Sequence, residues 1–300
     1  MRITHSWTDY DALISVEGLS RSIRILHVAD THMGLIDDRD PEHVATLRGF
    51  ADRFLDRHEN RDAEGNPIPP EEAFSHMMVA ARAQELDLIG LTGDIVDFPS
   101  VANVDAVLAG IEDSGVPTLY TAGNHDWLFP TASENANQTE LRAAGWVMLQ
   151  RLYKGEPAYE MRDIDGVRIL AIDDSTYQMD EAQLEFTRKA LADGLPTVIL
   201  MHIPLSIPTL RAPTVEYKGS PILVGDPDWD LAHRARVGLK EDTSTTLEFV
   251  RLVAGAENLV AILSGHLHFA HTDSLSPNAV QYLAPPGYAG ESRLVELRPL

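Results

Sequence analysis

The sequence predicts an α/β fold with a second sheet near its C-terminal end. Three observations carry that prediction. Short apolar, β-branched runs alternate with segments of helical periodicity through most of the chain, the pattern of strand–helix layering. Five of those runs are followed at once by a polar residue suited to chemistry: Asp30, Asp94, Asn124, His202 and His266. The C-terminal stretch alternates apolar and polar residues between turns, as antiparallel strands do.

The first two dozen residues read as an edge hairpin around Glu17-Gly18 or as an arm, 1–22. The run 23–29 is a β-rich strand ending at Asp30. Val44, Leu47, Phe50 and Phe54 fall on helical spacing within 42–57. The polar, Pro-rich stretch 60–70 is a surface loop. Residues 71–85 form a helix with Phe74, Met77, Met78 and Ala81 on one stripe. A buried strand, 86–92, runs into Gly93-Asp94. Helix 101–113 and strand 118–122 follow, and a loop opens at Gly123. Strands 167–172 and 197–201 flank a helix at 180–192. Residues 203–242 read as a long loop. A helix at 243–254 feeds the apolar strand 259–263, and 272–275, 279–283 and 293–297 complete the tail. No internal repeat, low-complexity block or linker divides the chain, so it reads as one domain over 1–300.

Composition excludes several classes. The absence of cysteine removes disulfides, thiolate metal sites and thiol nucleophiles. The N-terminus lacks the basic start and apolar run of a signal peptide, and no stretch has the ~18–20 apolar residues of a membrane span. The reading is cytoplasmic, with no membrane partner. The 24 basic and 46 acidic residues leave a net charge of −22. Nucleic-acid binding relies on Lys and Arg displacing counterions from phosphates, so this balance argues against a polyanionic partner.

The chemistry lies in five short blocks: Asp30-Thr31-His32, Gly93-Asp94, Gly123-Asn124-His125-Asp126, His202, and Gly265-His266-Leu267-His268. Ligand sites of open α/β sheets lie beyond the carboxyl ends of strands, so residues far apart in sequence can converge. These blocks supply enough oxygen and nitrogen ligands for two divalent metals side by side, a common arrangement for cutting phosphate esters. In extended chain, residues i and i+2 point the same way. Asp30 with His32, and His266 with His268, could therefore each grip one ion. Asp94 has two oxygens and could bridge two metals; taken alone it reads equally as a helix N-cap. Asn124 offers a neutral oxygen. His125 is suited to protonate a leaving oxygen or to stabilise charge on the transferred group. Asp126 could orient its imidazole. The other seven of the twelve histidines read as ordinary surface or core residues.

In that order, Asp-x-His, Gly-Asp, Gly-Asn-His-Asp, His and Gly-His-x-His resemble the calcineurin-like metallophosphoesterase superfamily, over roughly residues 23–270. The resemblance implies a four-layer α-β-β-α sandwich with two mixed β-sheets. It implies one metal on Asp30, His32, Asp94 and His268, and another on Asp94, Asn124, His202 and His266. Asp94 and a water or hydroxide would bridge them, and His125, paired with Asp126, would act at the leaving group. Two divalent ions less Asp30, Asp94 and hydroxide leave about one positive charge to meet an anionic phosphoryl group. The implied attack is in line, without a covalent enzyme intermediate. All ligands are oxygen or nitrogen, which suits Mn, Fe, Zn, Co or Ni without choosing among them.

Some subfamilies fit poorly. Gly93-Asp94-Ile95-Val96-Asp97 runs into Phe98-Pro99 rather than the Arg of protein Ser/Thr phosphatases. Position 97 is Asp rather than the Tyr ligand of purple acid phosphatases. The chain is too short for the second domain of periplasmic 5′-nucleotidases. What remains resembles bacterial enzymes of small phosphorylated substrates, with a phosphodiester such as a nucleotide favoured. The alternatives are a phosphomonoesterase, a metal-dependent nuclease and a non-catalytic protein-binding scaffold. Residues 203–240 of the long loop 203–242 carry five basic and four acidic residues inside a strongly acidic chain. The loop reads either as a surface insertion or as a substrate-selecting one, with Tyr217, Lys218 and Trp229 as contacts. Oligomeric state is not written in the sequence.

Overall fold

A computed structural model describes residues 1–40, 60–127, 138–236 and 239–300. Elements are numbered in chain order among these. The first of two mixed six-stranded sheets contains β1 (Ile3–Trp7), β2 (Asp11–Val16), β3 (Ile23–Val28), β4 (Leu88–Thr92), β5 (Thr118–Thr121) and β12 (Arg293–Pro299), in the order β1-β2-β12-β3-β4-β5. The second contains β6 (Tyr159–Ile164), β7 (Val167–Ile172), β8 (Thr197–Leu200), β9 (Leu259–Ser264), β10 (His271–Ser274) and β11 (Val280–Leu283), in the order β10-β11-β9-β8-β7-β6. The helices are α1 (Pro70–Arg82), α2 (Val101–Ser114), α3 (Gln138–Leu149), α4 (Glu181–Leu191), α5 (Pro208–Lys218), α6 (Leu231–Arg236) and α7 (Ser244–Gly255).

The layering follows from the two-residue period of strands. In β3, Ile23 and Ile25 face a core shared with Val198 and Leu200 of β8, which joins the two sheets. Leu26 and Val28, on the opposite face, pack on Phe74 and Met78 of α1 and Val104 and Val107 of α2. The second sheet repeats the scheme: Leu170 and Ile172 turn outward to Leu184 of α4 and to Phe249 and Val253 of α7. Central strands are thus buried on both faces, and all six residues of β7 are buried. This is why they read as unbroken apolar runs. Ser100 caps α2, and Asp180 with Gln183 forms a capping box on α4.

Several expectations are corrected. The hairpin exists but turns at Thr8–Tyr10, where the Thr8 N–H bonds Asp11 O at 2.9 Å. Glu17-Gly18 leads instead from β2 to β3, which are separated by β12. The C-terminal strands do not form one antiparallel unit: β10 and β11 extend the second sheet, and β12 crosses to the first, parallel to β2. Helix α3 and strand β6 fall where a loop was expected. So do α5 and α6, within 203–242; α5 carries Pro208 at its start and Pro213 inside, and prolines mask a helix from sequence reading. The helix expected over 42–57 lies outside the described residues. No helix of the described residues is long and apolar enough to cross a membrane.

Candidate metal centre

The polar blocks follow the C-terminal ends of β3, β4, β5, β8 and β9. Beyond β3 and β4 the backbones stay side by side. The N–H of Asp30 bonds Gly93 O at 3.0 Å, that of His32 bonds Asp94 O at 2.9 Å, and that of Met33 bonds Ile95 O at 3.1 Å. This continuation carries Asp30 and His32 up to Asp94. A 3-10 turn at Gly287–Ala289 closes over them, with Tyr288 N–H on Asp30 O at 3.0 Å. The His202 and His266 loops are tied together by the Gly265 N–H on His202 O at 2.9 Å.

The backbone here is not extended. Asp30, His32, Asp94, His266 and His268 have φ of 55°, 49°, 49°, 71° and 62°. Side chains rarely tolerate this left-handed region, and such strain concentrates at functional sites. Asp30 and His32 are therefore brought together by paired left-handed residues rather than by a strand, and His266 and His268, expected to grip one ion together, fall in different ligand groups. Two glycines make the crowding possible. A Cβ on Gly93, itself at φ 83°, would lie 2.5 Å from Gly123 N and 2.7 Å from His202 Cγ. One on Gly265 would lie 2.5 Å from the Asp30 carboxylate.

Two ligand groups result. Asp30, His32 and His268 form one, and Asp94, His202 and His266 the other; within each, potential ligand atoms lie within 4.8 Å of one another. His32 Nε2 and His268 Nε2 are 3.0 Å apart. Asp94 Oδ2 stands 3.2 Å from His202 Nε2 and 3.8 Å from His32 Nε2, between the groups. Its other oxygen accepts the His125 N–H at 2.7 Å. The imidazoles are also oriented. His202 Nδ1 is spent on the Thr92 carbonyl at 2.8 Å and His32 Nδ1 on Asp97 Oδ1 at 2.7 Å, leaving each Nε2 to the centre. Asn124 Oδ1 is buried with no hydrogen-bond partner. A buried acceptor without a donor, amid carboxylates and imidazoles, fits a hard or borderline cation.

Burial pushes the Asp30 carboxyl up to about 7. Burial acts on Asp94 in the same direction, but His202, His125 and His32 outweigh it and hold that carboxyl well below the usual range. Burial lowers His202, yet Asp94, Asp30 and Asp174 raise it further, to about 10.

The calcineurin-like phosphoesterase family matches the chain over residues 23–270. The chain belongs to the calcineurin-like phosphoesterase family. It is 28% identical over 192 residues to a "probable cyclic nucleotide phosphodiesterase" of Synechococcus sp., covering 61% of this chain and 58% of that protein. A similarly named protein of Fibrobacter succinogenes is 24% identical over 204 residues, covering 67% and 65%. The chain thus spans about three fifths of the length of these curated relatives. Among solved structures, it resembles a dimetal phosphatase from Danio rerio with a TM-score of 0.54 and 11% identity, covering 89% of this chain and 88% of that one. A purple acid phosphatase from yellow lupin gives 0.54 and 15%, covering 95% and 47%. At these identities the likeness is one of fold.

The position of Asp126 corrects its expected pairing with His125. Its carboxylate is buried and accepts three backbone N–H bonds, from Gly123 at 2.7 Å, Asp94 at 2.8 Å and Val96 at 3.0 Å. It folds the Asn-His turn back onto the Gly-Asp turn. Asp97 takes the place expected for it, with Oδ1 3.3 Å from His125 Nδ1 and 2.7 Å from His32 Nδ1. The His32, Asp97 and His125 side chains form a third cluster. The spacing Gly-Asp-x-x-Asp was the available signal for Asp97. Asp174, also missed, is buried; it accepts the N–H groups of His202 and Ile203, each at 2.9 Å. It too follows an apolar strand, β7. Trp229 is 4% exposed, packed away from solvent rather than available to a substrate.

Replacing Asp126 by Ala would leave three buried N–H donors unpaired. Each such loss costs ~1–3 kcal/mol, offset in part by relief of a buried charge. Calorimetry should show destabilisation of about 3 kcal/mol, and a variant as stable as the wild type would overturn the anchoring role.

Proposed function

We propose that the chain is a two-metal phosphodiesterase of small soluble phosphodiesters, cyclic nucleotides being the favoured class. The observation that carries this is the position of Asp94 Oδ2, within 4 Å of an imidazole of each ligand group. Asp30, His32, Asp94 and His268 would hold one ion, and Asp94, Asn124, His202 and His266 the other. When bound, two divalent ions would supply positive charge to the phosphoryl oxygens and acidity to an attacking water. His125 would protonate the leaving oxygen, with Asp97 holding its ring. Attack would be in line, on the face opposite the leaving group. The diester preference rests on the two bacterial relatives, each named as a probable cyclic nucleotide phosphodiesterase, and on the acidic chain, which disfavours long nucleic acids.

Tyr217 and Lys218 support a substrate role for the end of α5. Tyr217 is 60% exposed and stands edge-on to Phe269, the neighbour of His268, at 5.7 Å between ring centroids. The Lys218 ammonium lies over the Tyr217 ring at 5.1 Å. A base stacked on that edge would place its phosphate toward the centre.

The test is a substrate panel on metal-loaded protein. Bis(p-nitrophenyl) phosphate should exceed p-nitrophenyl phosphate in kcat/KM by about tenfold or more, worth ~1.4 kcal/mol in the transition state. Converting Tyr217 and Lys218 together to Ala should cost about tenfold on 3′,5′-cyclic nucleotides, the size of one weak stacking contact. A monoester preference would overturn the diester reading, and an unchanged double variant would remove α5 from substrate selection.

A further inference from the structure

We propose that Tyr177 is a positioning residue that fixes the ring of His266, and that the loop after β7, buttressed by Trp229, braces the second ligand group. The proposal rests on the two-metal reading above. Tyr177 Oη lies 2.9 Å from His266 Nε2, and the two rings meet edge-on at 5.5 Å. A neutral imidazole carries one proton and one lone pair. With Nε2–H donating to Oη, the lone pair resides on Nδ1, the nitrogen left for an ion. The same division of labour holds for His202 and His32, whose Nδ1 atoms are spent on Thr92 O and Asp97. Tyr177 completes this pattern, since partners of this kind set tautomer and ring orientation at metal sites.

Tyr177 is itself held in an unfavourable backbone state, at φ 62°. An aromatic residue keeps such a conformation only where its surroundings impose it. Here they do so from two sides. The Tyr177 N–H bonds Asp174 O at 2.7 Å, and the Asp174 carboxylate carries the His202 and Ile203 N–H groups. One short loop therefore touches both histidines of the second group. On the other side, Trp229 packs edge-on against Tyr177 at 5.3 Å. The Arg234 guanidinium covers the Trp229 ring at 4.7 Å and pairs with Asp242 at 2.7 Å. Gln178 ties the same loop to the start of α7, accepting the Thr243 N–H at 2.9 Å and the Thr246 hydroxyl at 2.9 Å. Trp229, Arg234, Asp242, Thr243 and Thr246 thus bear on the centre through the loop that carries Tyr177.

The experiment is titration of metal-stripped wild type and Tyr177→Phe with Mn by calorimetry, with metal content measured after desalting. The wild type should bind two ions. Tyr177→Phe should keep one at wild-type affinity and bind the other about 10–100-fold more weakly, the usual loss for an outer partner of a metal ligand. Its turnover deficit should shrink as Mn is raised, with substrate KM held. Trp229→Leu, which leaves the Tyr177 hydroxyl in place, should shift the same site in the same direction by less. Equal weakening of both ions, or wild-type binding of both, would overturn the positioning role. So would a changed KM with both affinities intact, which would make Tyr177 a substrate contact. A wild type that holds a single ion would instead overturn the two-metal reading, and this proposal with it.

Discussion

Asp94→Asn should strip both ions and lower turnover by about a thousandfold or more, above the loss seen when one electrostatic stabiliser is removed from an active site. The amide keeps the volume of the side chain and can still accept the His125 N–H, which Asp94 Oδ1 receives at 2.7 Å. What it loses is the anionic oxygen between His202 and His32. In the proposed scheme every other ligand serves one ion, so no other single change should empty both sites. Asp30→Asn should weaken the group of His32 and His268 first. The check is metal per chain after desalting, with circular dichroism to show that the fold persists. An Asp94→Asn variant that retains two ions would place the shared ligand elsewhere.

His125→Ala should separate chemistry from metal binding. The side chain lies beside the ligand groups, its ring edge-on to His32 at 4.8 Å, and neither group of three depends on it. Metal content should therefore be that of the wild type. Turnover should fall ~100- to 10,000-fold for esters with poor leaving groups, the range of a positioned general acid. For p-nitrophenyl esters, whose leaving group departs without a proton, the fall should be far smaller. Asp97→Asn should follow the same leaving-group trend, and should also weaken metal binding through His32, which shares the same carboxylate oxygen. Undiminished turnover of His125→Ala on an alkyl ester would remove it as the acid.

Much of the fold was legible because its central strands are buried on both faces. Residues 167–172 read as a strand, and β7 occupies Val167–Ile172; β3, β4, β8 and β9 were found to within a residue or two for the same reason. Capped amphipathic helices such as α4 were equally plain. Legibility failed where local signals conflict with tertiary context. Pro213 inside α5 reads as a breaker, yet the helix persists around it. β12 shows the alternation of a strand but carries no mark of the sheet it joins, since that choice depends on pairing with β2 and β3. Strand β6 alternates half-buried and exposed residues at a sheet edge, and its signal is correspondingly weak.

The sequence by itself determined which polar side chains end the apolar runs, and so where they lie in the fold. Carboxylate, amide and imidazole each follow an apolar run, and parallel strands bring such ends to one side of the fold. Which group serves which was decided only by the tertiary structure. Adjacency in Asn124-His125-Asp126 suggested that Asp126 steadies His125. In the folded chain, the turn sends that carboxylate back to three buried N–H groups, while Asp97 arrives from the neighbouring loop. Tyr177 and Asp174 could not be assigned from spacing for the same reason. Hydrogen-bond partnership depends on distances of about 3 Å between loops remote in sequence, and those distances are set by strand order and by left-handed backbone, neither of which a local pattern encodes.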